Sequence, residues 1–457
     1  MKNLTLVSFN RNSSNLVFYK SLLNVILLFI IITITYRVFL VSVLYFLQLV
    51  LELLFEAFIV IYLLSRIMRR AIERDFKLNH IEIYLVILFF LPILPAIGAY
   101  QRFGQPIFYG LGTFRDFYLI FGSLVVYNML RSGEITIQMV EKAFVSLTVF
   151  NMFFCYGLTF FTDPANFQDT AIAGANDLKG GEVYYRFNMS LFFFGSIYFV
   201  VKAFYEKNAK YLFWAGLFLI YIIFIRLDRT SMAGVFAGIG LFLATGIGTR
   251  SQFTSIFRLV LPLALVLVFA AIAVPEILDR YALMFNDAIS TTTGSRNDYA
   301  EESVRLAEYN IAVEGIKDKP LIGNGKVSTQ WVEGGYNAFY KFFYASDVGI
   351  FGQVYMYGFI GASILYGQFL FALFFAIKIR HIKRNIFLVT LKCFLFTHSL
   401  DSITNGYITI YAAQTIMAVV LIYYFYQEDR KLGAQLRMNR VVSKSAIELA
   451  PKSLLLS

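Results

Sequence analysis

The sequence predicts an all-α fold, a polytopic membrane helical bundle of about twelve transmembrane helices with one long loop containing short helices, and three observations lead there. Of its 457 residues 58% are hydrophobic and only 15% charged, with a mean hydropathy of +0.66; a water-soluble domain cannot hide that much apolar side chain. Several stretches reach the roughly 20 apolar residues that a helix needs to cross a hydrocarbon core of about 30 Å. The basic residues gather in particular loops between those stretches, as orientation signals do, so the net charge of +11 does not point to nucleic acid as a partner.

Taken in order, the apolar segments are 20–36, 38–64, 81–99, 113–130, 143–161, 188–204, 211–226, 230–247, 256–275, 348–376, 384–400 and 407–426. Residues 1–275 then hold the first nine helices, 276–347 the long loop, 348–426 the last three helices and 427–457 a tail. Lys2, Arg11 and Lys20 ahead of the first run resemble a signal peptide, but the exit from Thr33 to Arg37 lacks a small-x-small cleavage site, so the first helix is expected to be retained.

Charge sets the expected orientation. The loop after the second segment carries Arg66, Arg69, Arg70, Arg74 and Lys77 against Glu73 and Asp75, and the 378–384 loop carries Lys378, Arg380, Lys383 and Arg384 with no acid. The tail is basic too, with Arg430, Lys431, Arg437, Arg440, Lys444 and Lys452 against Glu428, Asp429 and Glu448. All three are expected inside, with both termini cytoplasmic. The 276–347 loop has eleven acids against seven bases and belongs outside, as does 163–187. Chemistry is expected on these outer loops.

Within the long loop, Val304, Ala307, Ile311 and Gly315 recur at helical spacing, which predicts a helix over Ala300–Gly315 lying along the membrane surface. Asp318-Lys319-Pro320 stops it and Gly323-Asn324-Gly325 makes a turn. No internal repeat of the kind that builds many secondary transporters is visible.

Arginines at the expected outer boundary are the most informative side chains, since a guanidinium is always charged and its planar fork of donors matches phosphate oxygens. Arg115 beside Asp116 opens the fourth segment, Arg186 the sixth; Arg226 and Arg229 flank Asp228 between the seventh and eighth, and Arg305 sits on the loop helix. Each alone also reads as an arginine that snorkels to the interface or pairs with a neighbouring acid. Glu52 and Glu56, four apart, share a helix face, which suits a structural role inside the bundle or a proton relay. His80 and His381 fall in inner loops and His398 in the eleventh segment, so no metal cluster forms; Cys155 and Cys393 lie in apolar segments as packed thiols. No two aspartates stand two apart, which removes the metal-holding pair of many glycosyltransferases.

Four stretches together carry a resemblance: Arg186-Phe187-Asn188-Met189-Ser190 ahead of a helix, RLDRTSMAG at 226–234, RLAEYNIAVEGIKDKPLIGNG at 305–325 and SDVGIFGQVYMYGFIG at 346–361. In this order, around a long outer loop, they resemble the O-antigen polymerase and ligase superfamily over roughly residues 180–376. The resemblance implies a GT-C-like, metal-independent glycosyltransferase without a cofactor, in the bacterial inner membrane. It would move a glycan from undecaprenyl diphosphate to an acceptor hydroxyl at the periplasmic face, making O-antigen, capsule or exopolysaccharide. Carried over, Arg186, Arg229 and Arg305 would bind the donor diphosphate, with Arg226 and Arg115 as further cations, standing in for a metal as charge grows on the leaving group. Lipid-linked glycans serve as donor and acceptor, membrane lipid surrounds the chain, and a chain-length regulator and a flippase are the implied protein partners.

Where the ligase branch has a histidine in the long loop, this chain has Tyr336-Asn337 and then Ser346-Asp347, which favours a polymerase. Asp347 reads either as a general base for the acceptor hydroxyl or as a cap for the helix beginning at Val348. The rivals are a ligase acting on finished glycan, a flippase for the same lipid-linked sugars, and a small-solute transporter.

Overall fold

The computed structural model describes residues 11–40, 44–74, 77–163, 187–226, 229–246, 300–340 and 343–449. The segment expected at 256–275 lies outside them, as does Arg186. Apolar runs that leave no strand alternation become helices: α1 (Arg11–Thr35), α2 (Tyr45–Glu73), α3 (His80–Phe90), α4 (Ile93–Phe103), α5 (Ile107–Gly112), α6 (Phe121–Arg131) and α7 (Ile137–Phe161). They continue with α8 (Ser190–Glu206), α9 (Lys210–Ile220), α10 (Arg229–Gly246), α11 (Ala300–Asp318), α12 (Gly349–Lys378), α13 (Ile386–Thr404) and α14 (Ala412–Leu449). Eleven of the twelve expected segments fall on these helices, and α11 is the helix expected within the long loop, three residues longer than expected.

Five helical stretches are long and apolar enough to cross a membrane: Phe46–Glu73, His80–Phe103, Ile137–Phe161, Ala345–Lys378 and Ile386–Thr404. Leu22–Thr35 and Thr230–Thr245 are shorter apolar helices. The chain is therefore a polytopic helical membrane protein. Fewer than twelve spans qualify among the described residues because local breaks divide some segments. Residues 113–130 open on a 3-10 turn at Arg115–Ile120, and 211–226 ends in a π-helical turn at Tyr221–Arg226. Pro92, which has no N–H to give, separates α3 from α4 without dividing the His80–Phe103 span.

The chain forms two compact units, residues 1–77 with 118–195 and residues 78–117 with 196–457. In the first, α1 packs on α2, α6 and α7. At Gly122 of α6 a Cβ would lie 3.0 Å from Phe55 of α2 and 3.1 Å from Thr35 of α1. The turn after α1 holds Arg37, whose Nε lies 3.0 Å from Glu52 with both side chains buried; Gln48 donates to the same carboxylate at 2.8 Å. Glu52 thus has the structural role weighed above, because a buried carboxylate is tolerable only when paired and hydrogen-bonded. Asn188 donates to the Tyr36 carbonyl at 3.0 Å, tying the segment before α8 to the same turn.

In the second unit α10 packs on α13, while α12 contacts α4, α11, α13 and α14. Asn79 and Glu82 form a reciprocal capping box at the start of α3, with both bonds at 3.0 Å. Helix α14 runs past the expected end at 426 to Leu449.

Candidate active site

Helix α12 is broken. Gly358 has φ 66° and ψ 178°, a conformation open only to glycine, so the carbonyls before it and the N–H groups after it lose their helical partners. The loop 320–325 supplies replacements. Asn324 N–H donates to Tyr355 O at 2.7 Å and Gly325 N–H to Met356 O at 3.0 Å, while Phe359 and Ile360 donate to Pro320 O and Leu321 O at 2.7 and 3.2 Å. Irregular backbone inside a membrane helix is tolerable when protein satisfies it in this way. The approach is so close that side chains are excluded. A Cβ on Gly98 of α4 would sit 2.7 Å from Gly323 O, and one on Gly325, at φ +82°, would strike the backbone of Pro95 and Ala99. The expected Gly323-Asn324-Gly325 turn is therefore a latch between α4 and the break in α12.

Beyond the latch, the loop leads to the 3-10 turn Ala345–Val348 that carries Asp347. Tyr336 donates its hydroxyl to Gly325 O. Burial, and then Tyr340, holds that phenol well above its ordinary pKa, so it stays a neutral donor. Asn337 accepts from Phe343 N–H at 2.9 Å. Tyr336 and Asn337 are thus both bonded within the loop and hold its shape. Tyr344 N–H donates to Glu308 of α11 at 2.9 Å; Glu308 is 2% exposed. Tyr309 meets Phe351 edge-on at 4.9 Å. One turn earlier on α11 stands Arg305, so its helix is docked against the segment bearing Asp347.

Asp347 itself is exposed and accepts from the Ser346 hydroxyl at 3.1 Å. No side chain caps α12, whose N-cap is Val348, so the capping role weighed for Asp347 is absent. Gly349, at φ +60°, lets the start of α12 approach the carbonyls of Ile403 and Thr404 at the end of α13. Gln353 then donates to Gly406 O. Next to this contact Asn405 donates both to Thr230 Oγ1 and to Asp401 at 3.0 Å; Asp401 is buried. Thr230 follows Arg229, the first residue of α10. The starts of α10 and α12 and the end of α13 therefore meet at one corner, with α11 fastened to it through Glu308.

Among the sequence-predicted positions, this corner gathers the elements that bear Arg229, Arg305 and Asp347. Arg226 ends the π-helical turn Tyr221–Arg226, half-buried. Arg115 lies 3.5 Å from Asp116, the pairing its neighbour suggested. Arg186 is outside the described residues, and Asn188, two positions on, belongs to the first unit. Sequence reasoning missed Asp401, Asn405 and Glu308. A carboxylate and an amide four apart near the end of an apolar helix were a usable signal for the first two; Glu308 looked like one more acid on a polar helix. A second charged group lies beside the latch, where Arg102 pairs with Asp318 at 3.0 Å and Lys319 donates to Gln101 at 3.3 Å. Burial, then the Arg102 guanidinium, draws the Lys319 amine below its ordinary pKa, with Asp318 opposing.

Residues 211–354 match the family model described as O-antigen ligase. The matched stretch runs from α9 through Arg226, Arg229, Arg305, the latch and Asp347 into α12. Comparison with curated proteins and with solved structures gives no match. The match over residues 211–354 supports the resemblance to the O-antigen polymerase and ligase superfamily.

Proposed function

We propose that this protein is a metal-independent glycosyltransferase of the bacterial inner membrane. It joins oligosaccharide repeat units carried on undecaprenyl diphosphate at the periplasmic face. The acceptor hydroxyl attacks the anomeric carbon of the donor glycan; the bond from that carbon to the diphosphate oxygen breaks and its electron pair leaves with the lipid diphosphate. Asp347 takes the hydroxyl proton. Arg229 and Arg305, with Arg186, Arg226 and Arg115 as further cations, stabilise the charge growing on the leaving group.

The observation that carries this reading is the corner itself: the starts of α10 and α12 and the loop helix α11, bearing Arg229, Asp347 and Arg305, are fastened to one another through Asn405, Gly406 and Glu308. It supports a site on one face rather than arginines that merely mark a boundary. Polymer formation is favoured over ligation because Tyr336 and Asn337 shape the loop where the ligase branch has histidine. A chain-length regulator and a flippase are the partners such an enzyme works beside.

The test is the surface polysaccharide of cells making Arg229→Ala or Arg305→Ala protein at normal levels. Loss of polymer beyond single repeat units is expected, from a fall in turnover of about 10²–10³ per arginine. An unchanged chain-length distribution would contradict the assignment. Accumulation of full-length polymer still on its lipid carrier would favour the ligase.

A further inference from the structure

Beside the latch stands a run of three aromatic rings that the proposed transfer chemistry does not use. Phe103, the last residue of α4, packs on Phe339 with centroids 4.8 Å apart, and Phe339 lies almost parallel to Trp331, at 6.0 Å and 16°. Phe339 is 44% exposed and Trp331 is half-buried. Among the described residues Phe339 is the only ring against the indole, which leaves Trp331 at the open end of the run. Thr329, Gln330, Glu333 and Asn337, close to it in sequence on the same loop, are all exposed.

The loop that carries these rings is held in shape. Gln105 accepts from Ser328 N–H at 2.7 Å and donates to Lys326 O at 3.1 Å. Trp331 N–H donates to Ser328 O at 3.2 Å. Gly334 and Gly335, at φ +80° and +58°, turn the chain back, and Asn337 fastens Phe343. A platform fixed before its ligand arrives loses little conformational entropy on binding.

We infer that Trp331, backed by Phe339 and Phe103, is a stacking platform for a pyranose ring of the glycan. A pyranose has one face of C–H groups, which suits an indole plane, and a rim of hydroxyls, which suits the carboxylate and amides of Glu333, Gln330 and Asn337. An aromatic that only anchors a helix in the lipid interface does not need exposed polar residues beside it on the same loop. The inference rests on the glycosyl-transfer reading and deepens it: from Trp331 the same loop runs on to Asp347, so a sugar on the indole is one residue of the chain whose end reacts at the corner.

The test uses full-length protein in lipid nanodiscs. Only two tryptophans are present, so Trp214→Phe leaves Trp331 as the sole indole reporter. The probe is the oligosaccharide released by mild acid from the surface polysaccharide of the source cells. It is expected to quench or shift Trp331 emission, while lipids brominated along their acyl chains leave that emission unchanged. By calorimetry Trp331→Ala is expected to bind the probe about tenfold more weakly, and Trp331→Phe within about threefold of the parent. Quenching by brominated lipid with no response to oligosaccharide, or undiminished binding by Trp331→Ala, would overturn the platform. The Arg229→Ala protein separates the two claims: polymer lost in Arg229→Ala with no response at Trp331 defeats the platform alone. A response at Trp331 with polymer unaffected in Arg229→Ala defeats the transfer reading alone.

Discussion

The two ends of α12 are fastened by opposite means. Around Gly349 and Gly358 the fastening is mainly backbone against backbone: four hydrogen bonds to residues 320–325, and glycines whose missing Cβ atoms let carbonyls of neighbouring elements approach, with the Gln353 amide adding one donor to Gly406 O. Past Lys378 it is one side chain. Asp429 of α14 accepts from the N–H groups of Arg380, His381 and Ile382 at 3.0, 2.6 and 2.9 Å. The glycine end holds a fixed geometry that no substitution can relax, and it is the end that carries Asp347. The carboxylate end only closes a loop, and its strength depends on protonation.

That contrast predicts unequal responses. Gly325→Ala is expected to be the most damaging single change, destabilising by about 4 kcal/mol through left-handed strain and collision with Pro95 and Ala99, measured as a fall in the melting temperature of purified protein. Equal stability would mean the latch is not close-packed. Asp401→Ala is next: it removes the acceptor for Asn405, leaves that amide with Thr230 alone, and is expected to lower turnover without a comparable loss of stability. Asp429→Ala should cost about 2 kcal/mol, since three N–H groups lose a charged acceptor in a partly solvated loop, and should leave turnover unchanged.

The smallest effect is a pH dependence. Burial raises the Asp429 pKa, but the three backbone N–H groups together outweigh it and the net shift is downward. A depressed folded pKa contributes stability that is full above the ordinary carboxylate pKa and is lost as pH falls through the folded value. The stability gap between the parent and Asp429→Asn is therefore expected to narrow below about pH 4; a gap that widened on acidification would reverse the sign.

Helix positions were legible because membrane helices advertise themselves by hydropathy: α7, α12 and α13 lie where the apolar runs put them, whereas α2 ends nine residues past its expected end and carries Arg66, Arg69 and Arg70 on the helix instead of in a loop. The loop helix α11 was legible from its spacing. The break at Gly358 was not, since many glycines occur in apolar runs and only pairing with residues distant in sequence decides which one adopts a positive φ. The same reason hid Asp401 and Glu308, whose meaning comes from Asn405, Thr230 and Tyr344 on other elements. Arg229, Arg305 and Asp347 were singled out through a resemblance covering the stretch that the family match also covers; Arg115 pairs with Asp116 as local sequence allowed.

The most direct measurement of the central claim is turnover by purified protein in nanodiscs supplied with undecaprenyl-diphosphate-linked repeat units, comparing the parent with Arg229→Ala, Arg305→Ala and Asp347→Asn. A ladder of polymer from the parent is expected, with a loss of about 10²–10³ in rate for each arginine variant and a smaller loss of about 10² for Asp347→Asn. Ladders of the same length and rate from all four proteins would contradict the assignment of this corner as the place where glycosyl transfer occurs.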